Sequence, residues 1–154
     1  GKSTLLRIIL GVTSPSKGLI QSYDQDLKIS YLGHKNAIKN YLTPIENLDL
    51  LFSGDELNLA FEWLNKFGLS HVQDELTASL SFGQQKKLAL IRVLAQSSDL
   101  LVLDEPFVGL DQTTADELNS FLAQKISQGM GLILTSHITP MIDCKVLDLG
   151  VKNA

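Results

Sequence analysis

Leu100-Leu101-Val102-Leu103-Asp104-Glu105-Pro106 is an unbroken apolar run that stops on two carboxylates and a proline. So short a continuous apolar run suits a strand buried on both faces of a parallel sheet. Open α/β sheets form their ligand crevice at the carboxyl ends of such strands, where Asp104 stands. Neighbouring strand side chains point to opposite faces, so the two carboxylates take different roles only if the strand ends there. Pro106 favours that ending, because it biases the backbone of Glu105 and stops the ladder. Just upstream, Leu80-Ser81-Phe82-Gly83-Gln84-Gln85 opens a helix expected to run to about Gln96, with Ser81 as its N-cap.

The chain begins Gly1-Lys2-Ser3-Thr4. This is the last part of the phosphate-binding pattern G-x-x-x-x-G-K-[ST], with Gly1 its final glycine, Lys2 its lysine and Ser3 its hydroxyl. Amides at a helix start, with the helix dipole behind them, favour phosphate oxygens. Lys2 is then expected on the β- and γ-phosphates, and Ser3 on Mg2+. Asp104 is the expected second protein ligand of that ion, as in P-loop NTPases. Leu5, Leu6, Ile8, Ile9 and Leu10 read as the buried side of a short helix that Gly11 ends. Without an initiator Met or a preceding strand, the chain reads as a fragment whose natural sequence continues upstream.

Between these landmarks the pattern alternates. Leu19 to Tyr23 and Lys28 to Leu32 are strand-like, with Asp24-Gln25-Asp26 as the turn. Thr43-Pro44-Ile45-Glu46 is a capping box with proline at the first helical position, starting a helix that contains Leu48, Leu50 and Leu51. Asp55 to Phe67 presents Leu57, Ala60, Phe61, Leu64 and Phe67 on one face, with Gly68 as its stop. Thr113 to about Ser127 is an amphipathic helix. Leu132 to Ser136 and Lys145 to Leu149 are the next strands expected. Alternating strand and helix implies an α/β fold with a mostly parallel sheet and helical crossovers.

These motifs, in this order, resemble the ATP-binding cassette (ABC) ATPases over nearly the whole chain. The resemblance implies a P-loop NTPase of ABC type, one domain over 1–154 that is incomplete at its N-terminus. It also implies a helical subdomain, about 37–97, inserted in the α/β core. Thr4 then adds a hydroxyl near the α-phosphate, Glu105 is the general base that orients water, and His137 is the switch histidine at the γ-phosphate. Leu80-Ser81-Phe82-Gly83-Gln84 is similar to the LSGGQ signature, which serves ATP on the opposite subunit through Ser81, Gly83 and Gln84. Phe82 departs from that pattern, standing at the first of its two glycines. Gly109-Leu110-Asp111 resembles the D-loop and puts Asp111 at the subunit interface. His34 stands where most cassettes carry a glutamine. It reads either as an equivalent ligand, since both side chains offer a neutral acceptor, or as part of a looser loop without metal contact.

Tyr31-Leu32-Gly33-His34-Lys35-Asn36-Ala37-Ile38-Lys39, followed by Leu42-Thr43 and Glu46-Asn47-Leu48, is similar to the ATP-binding subunit of the cytochrome c biogenesis haem exporter. That resemblance implies ATP and Mg2+ as ligands, a head-to-tail dimer with a second ATP-binding subunit, and transmembrane permease partners. The expected place is peripheral, on the cytoplasmic face of a bacterial inner membrane or its organellar equivalent. Another exporter, of lipid or drug, and a soluble ABC ATPase acting on nucleic acid or ribosomes are the alternatives.

Composition narrows these. The 154 residues are 44% hydrophobic, enough for one α/β unit with a sizeable core, and the net charge of −4 offers no basic footprint for nucleic acid. No run reaches the ~18 apolar residues of a membrane span. The single cysteine, Cys144, cannot form an internal disulfide, which suits a reducing compartment. It is expected to be a small apolar filler near a strand.

Overall fold

Strands and helices share the chain, with three successive α-helices between the first strand and the second. The computed structural model describes residues 1–21, 26–137 and 141–150. In order these form α1 (Lys2–Ile9), β1 (Ile29–Leu32), α2 (Pro44–Asp49), α3 (Gly54–Lys66), α4 (Phe82–Leu94), β2 (Leu100–Asp104), α5 (Gln112–Ser127) and β3 (Gly131–Thr135), with two short 3-10 turns between α3 and α4. The strands make one parallel sheet in the order β1-β2-β3. Leu32 lies opposite Leu103, and Asp104 opposite Thr135. All three strands therefore end at one edge, and the residues following them share it.

β2 is the central strand. Leu101, Val102 and Leu103 are at most 1% exposed, as a strand covered on both faces must be. Burying each such side chain contributes about 1.5–3 kcal/mol. The α4 residues Leu88, Leu90 and Ile91 pack into the same core with Leu118 and Leu122 of α5. Trp63 ties α3 into it. Its ring centroid lies 5.1 Å from both Phe67 and Phe121, edge-on to the latter, so α3 is anchored on α5.

The segments between strands are held by local chemistry. Thr43 and Glu46 form both arms of the capping box that starts α2. Buried Asn47 accepts from the Lys39 amide and donates to the carbonyls of Lys39 and Thr43 and to Thr77 Oγ1. Those bonds pin the loop after β1. Arg92 of α4 donates to the carbonyls of Asn36 and Ala37 and holds the same loop from the other side.

Several sequence expectations fail here. Leu19–Gln21 is irregular, with Leu19 78% exposed; Tyr23 and most of the proposed Asp24-Gln25-Asp26 turn lie outside the described residues. Lys145–Leu149 is irregular too, with Val146 and Leu147 exposed. β-propensity only favours a strand that has a ladder to join, and neither run pairs with one among the described residues. Of the apolar residues of α1, Leu6 alone is buried. Leu5, Leu6 and Ile9 line a cleft with β3 and residues 143–147 instead. Cys144 is exposed rather than a core filler. α2 ends at Asp49, leaving Leu50 and Leu51 exposed.

Candidate functional site

The carboxyl edge of the sheet gathers the residues that the sequence scatters. β2 stops at Asp104, and Glu105 turns out of the strand with φ +50°, a left-handed backbone that a non-glycine residue adopts only when its surroundings impose it. Thr135, at the end of β3, imposes it. Its Oγ1 donates to Asp104 Oδ1 at 2.7 Å and accepts from the Glu105 amide at 3.0 Å, while its carbonyl accepts from the same amide at 3.2 Å. One hydroxyl thus sets both carboxylates, sending Asp104 inward at 2% exposure and Glu105 toward the edge.

Glu105 is the hub of a polar cluster at that edge. Lys2 Nζ donates to Glu105 Oε1 at 2.6 Å and to the Ser136 carbonyl at 3.4 Å. The His137 amide donates to Glu105 Oε2 at 3.2 Å, and His137 Nε2 lies 3.4 Å from Oε1. The first turn of α1, carrying Lys2, Ser3 and Thr4 behind its N-cap Gly1, therefore faces the ends of β2 and β3. Asp104 Oδ2 is buried without a hydrogen-bond partner. An orphaned carboxylate oxygen beside a helix start bearing a hydroxyl suits a hard cation that takes its other ligands from phosphate and water. Among the described residues no group of three or more His, Cys, Asp or Glu is placed to hold a metal ion.

Lys86 of α4 is 4% exposed. Burial pulls its ammonium below the ordinary lysine range, and the charges of Asp104 and Glu105 pull it part of the way back. It is a buried lysine within electrostatic reach of the two carboxylates, and the sequence pattern did not reveal it.

The signature segment lies apart from this hub. Ser81 Oγ accepts from the Gln84 amide at 3.2 Å, and Gln84 Oε1 accepts from the Ser81 amide at 2.8 Å, so both form the capping box of α4. Neither they nor Gly83 bond to Lys2, Asp104, Glu105 or His137 among the described residues. Asp111 caps α5 by accepting from the Thr114 amide and hydroxyl, each at 2.9 Å, and its other oxygen pairs with Lys87 at 2.5 Å. The Lys87 bond, then the Thr114 amide, hold its carboxyl down at about 2. His34 is exposed two residues past β1 and bonds to none of the hub residues.

Residues 1–108 match the sequence profile described as "ABC transporter". The chain belongs to the ABC transporter family. It is an α/β cassette of ABC type, in the class of ATP hydrolases coupled to transport. One relative, the cytochrome c biogenesis ATP-binding export protein CcmA of Idiomarina loihiensis, is 37% identical over 149 residues, or 89% of this chain and 68% of that protein. The protein so named from Escherichia coli K12 is 35% identical over 89% of this chain and 70% of its own length. Among solved structures, an ATP-binding subunit of an ABC transporter superposes with TM-score 0.78 at 25% identity, covering 90% of this chain and 64% of that one. The cassette MJ0796, described as a dimer bound to ADP and Pi after hydrolysis, superposes with TM-score 0.72 at 26% identity over 90% of this chain and 70% of that one. No helix among the described residues is long and apolar enough to cross a membrane.

Three contributors escaped the sequence reading. Thr135 carries no motif of its own; its only signal is that it ends the strand before Ser136-His137. Lys86, buried within electrostatic reach of the carboxylates, and Lys87, part-buried and paired with Asp111, carry no motif either.

Proposed function

We propose that this protein is the ATP-binding and ATP-hydrolysing subunit of an ABC exporter serving cytochrome c biogenesis, with haem as the associated cargo. The observation that carries the hydrolytic part is the convergence of Lys2 and His137 on Glu105 at the carboxyl edge of the sheet, with Asp104 tied alongside through Thr135. The names of the relatives support the pathway.

In this reading the amides behind Gly1 and the hydroxyl of Thr4 receive the nucleotide phosphates, and Lys2 reaches the β- and γ-oxygens. Carboxylate and phosphate compete for one ammonium, so an arriving γ-phosphate draws Lys2 from Glu105 and leaves Oε1 free to take up a water proton. Thr135 keeps Glu105 at the edge meanwhile. His137 donates toward the γ-phosphate from an imidazole whose backbone is already tied to Glu105. Ser3 and Asp104 Oδ2 would hold Mg2+, which when bound neutralises charge between the β- and γ-phosphates. His34, two residues past the neighbouring strand, is the candidate polar contact to attacking water.

Ser81, Gly83 and Gln84 then serve the nucleotide of a second cassette, packed head to tail. Asp111 lines that interface. The finer assignment is a peripheral subunit on the cytoplasmic face of a bacterial inner membrane, or an equivalent organellar face, held there by transmembrane permease subunits and not by nucleic acid.

Glu105→Gln tests the chemistry. ATP turnover should fall ~10²–10⁴-fold, the range removed with a general base, while ATP binding persists. Unchanged turnover rules out Glu105 as the base. Co-purification with a multi-span partner, and loss of cytochrome c maturation on deletion, test the pathway; normal maturation refutes it.

A further inference from the structure

The loop after Glu105 is fastened to the signature helix at two points. Gly83 and Lys87 are one turn apart on α4 and share a face. At the first point the backbones nearly touch: a β-carbon on Gly83 would lie 2.8 Å from the Gly109 carbonyl oxygen. Phe82 covers the same spot, since a β-carbon on Gly109 would lie 2.6 Å from its Cε1 and 2.9 Å from its Cδ1. Gly109 itself has φ +82°. At the second point Lys87 pairs with Asp111 and donates to the Phe67 carbonyl at 3.1 Å, so one ammonium joins the end of α3 to the cap of α5. The loop leads straight back to the hub, because the Val108 amide donates to the Glu105 carbonyl at 3.4 Å and the Leu110 amide to that of Phe107 at 3.3 Å.

We propose that Phe82 and Gly109 are a size-matched pair that positions the Glu105 loop against the signature helix. The aromatic ring, exposed on its outer side, occupies the space that a side chain at 109 would need, so a β-carbon there must displace either the ring or the loop. A bulky residue at the first glycine position of the signature is tolerated because the loop opposite has none. Both are positioning residues: they act on Glu105 through the backbone of 106–110. Displacing that loop moves the base without moving Lys2 or Ser3, so turnover suffers and nucleotide affinity does not.

The pairing rests on Glu105 being the hydrolytic base, and a double-mutant cycle on the full chain separates the two ideas. Gly109→Ala should lower kcat by about tenfold or more with KM changed less than about twofold, since a misplacement on the order of 1 Å costs up to about 100-fold and the exposed ring takes up part of the strain. In a Phe82→Gly background the same substitution should cost only about threefold, the residue of its positive φ. Phe82→Tyr keeps the ring and should leave the large penalty intact. Equal penalties in all three backgrounds overturn the pairing, even with parental activity normal and Glu105→Gln inactive. If Gly109→Ala yields no folded protein, recovery of folded protein in the double variant supports the pair, and its continued failure to fold refutes it. An active Glu105→Gln variant would instead remove the underlying reading.

Discussion

Replacing Thr135 with valine keeps the shape of a buried strand end and removes one hydroxyl. Among the described residues that hydroxyl makes the only hydrogen bond to the Asp104 carboxylate, at 2.7 Å, and that carboxylate is 2% exposed. The Glu105 amide loses its 3.0 Å acceptor but retains the Thr135 carbonyl at 3.2 Å. The cost is therefore close to one charge-assisted hydrogen bond left unmade in the interior, about 2 kcal/mol. For a chain of this length that corresponds to a fall in Tm of roughly 4–8 °C. Turnover should fall further than stability suggests, by about tenfold or more, because the left-handed turn at Glu105 loses part of what imposes it. Thr135→Ser keeps the hydroxyl and should recover most of the activity. Thermal melts and steady-state ATPase assays on the three proteins read both effects. A valine variant that melts within about 1 °C of the parent and turns over normally refutes the idea that Thr135 sets the two carboxylates.

The caps and the ion pair give two further expected outcomes. Asp111→Asn keeps the α5 cap but loses the pairing with Lys87. Because the Asp111 carboxyl is depressed from 3.8 to about 2, its contribution is present above about pH 4 and is lost as pH falls through 2. The pair is more than half exposed on the Asp111 side, so the deficit in Tm at pH 7 should be only about 1–3 °C, shrinking in high salt and vanishing near pH 2. A deficit that does not change with pH contradicts the assignment. Ser81→Ala removes the α4 cap at a cost of about 1 kcal/mol, or roughly 2–4 °C in Tm. It should also weaken ATP-dependent dimerisation of the Glu105→Gln protein on size exclusion. Undiminished dimerisation argues against Ser81 acting across an interface.

The elements were legible because their signals are local. The Thr43 and Ser81 capping boxes each span four residues, and the apolar run from Leu100 to Leu103 needs no distant partner to read as a buried strand. Asp104, Glu105, Lys2 and His137 could be named for the same reason: each stands at a helix start or strand end that its neighbours define. Leu19–Gln21 and Lys145–Leu149 misled, because a strand depends on the ladder beside it, and no local pattern supplies one.

Chain order alone could not say what meets what. Lys2 reaches Glu105 across 103 positions, and Thr135 reaches Asp104 across 31, because parallel crossovers bring every strand end to one edge. The same crossovers drew Lys86 and Lys87 inward and set Phe82 over Gly109. Spacing along the chain specifies what each residue can offer; folding specifies which donors and acceptors stand opposite it, since those partners lie beyond any local period.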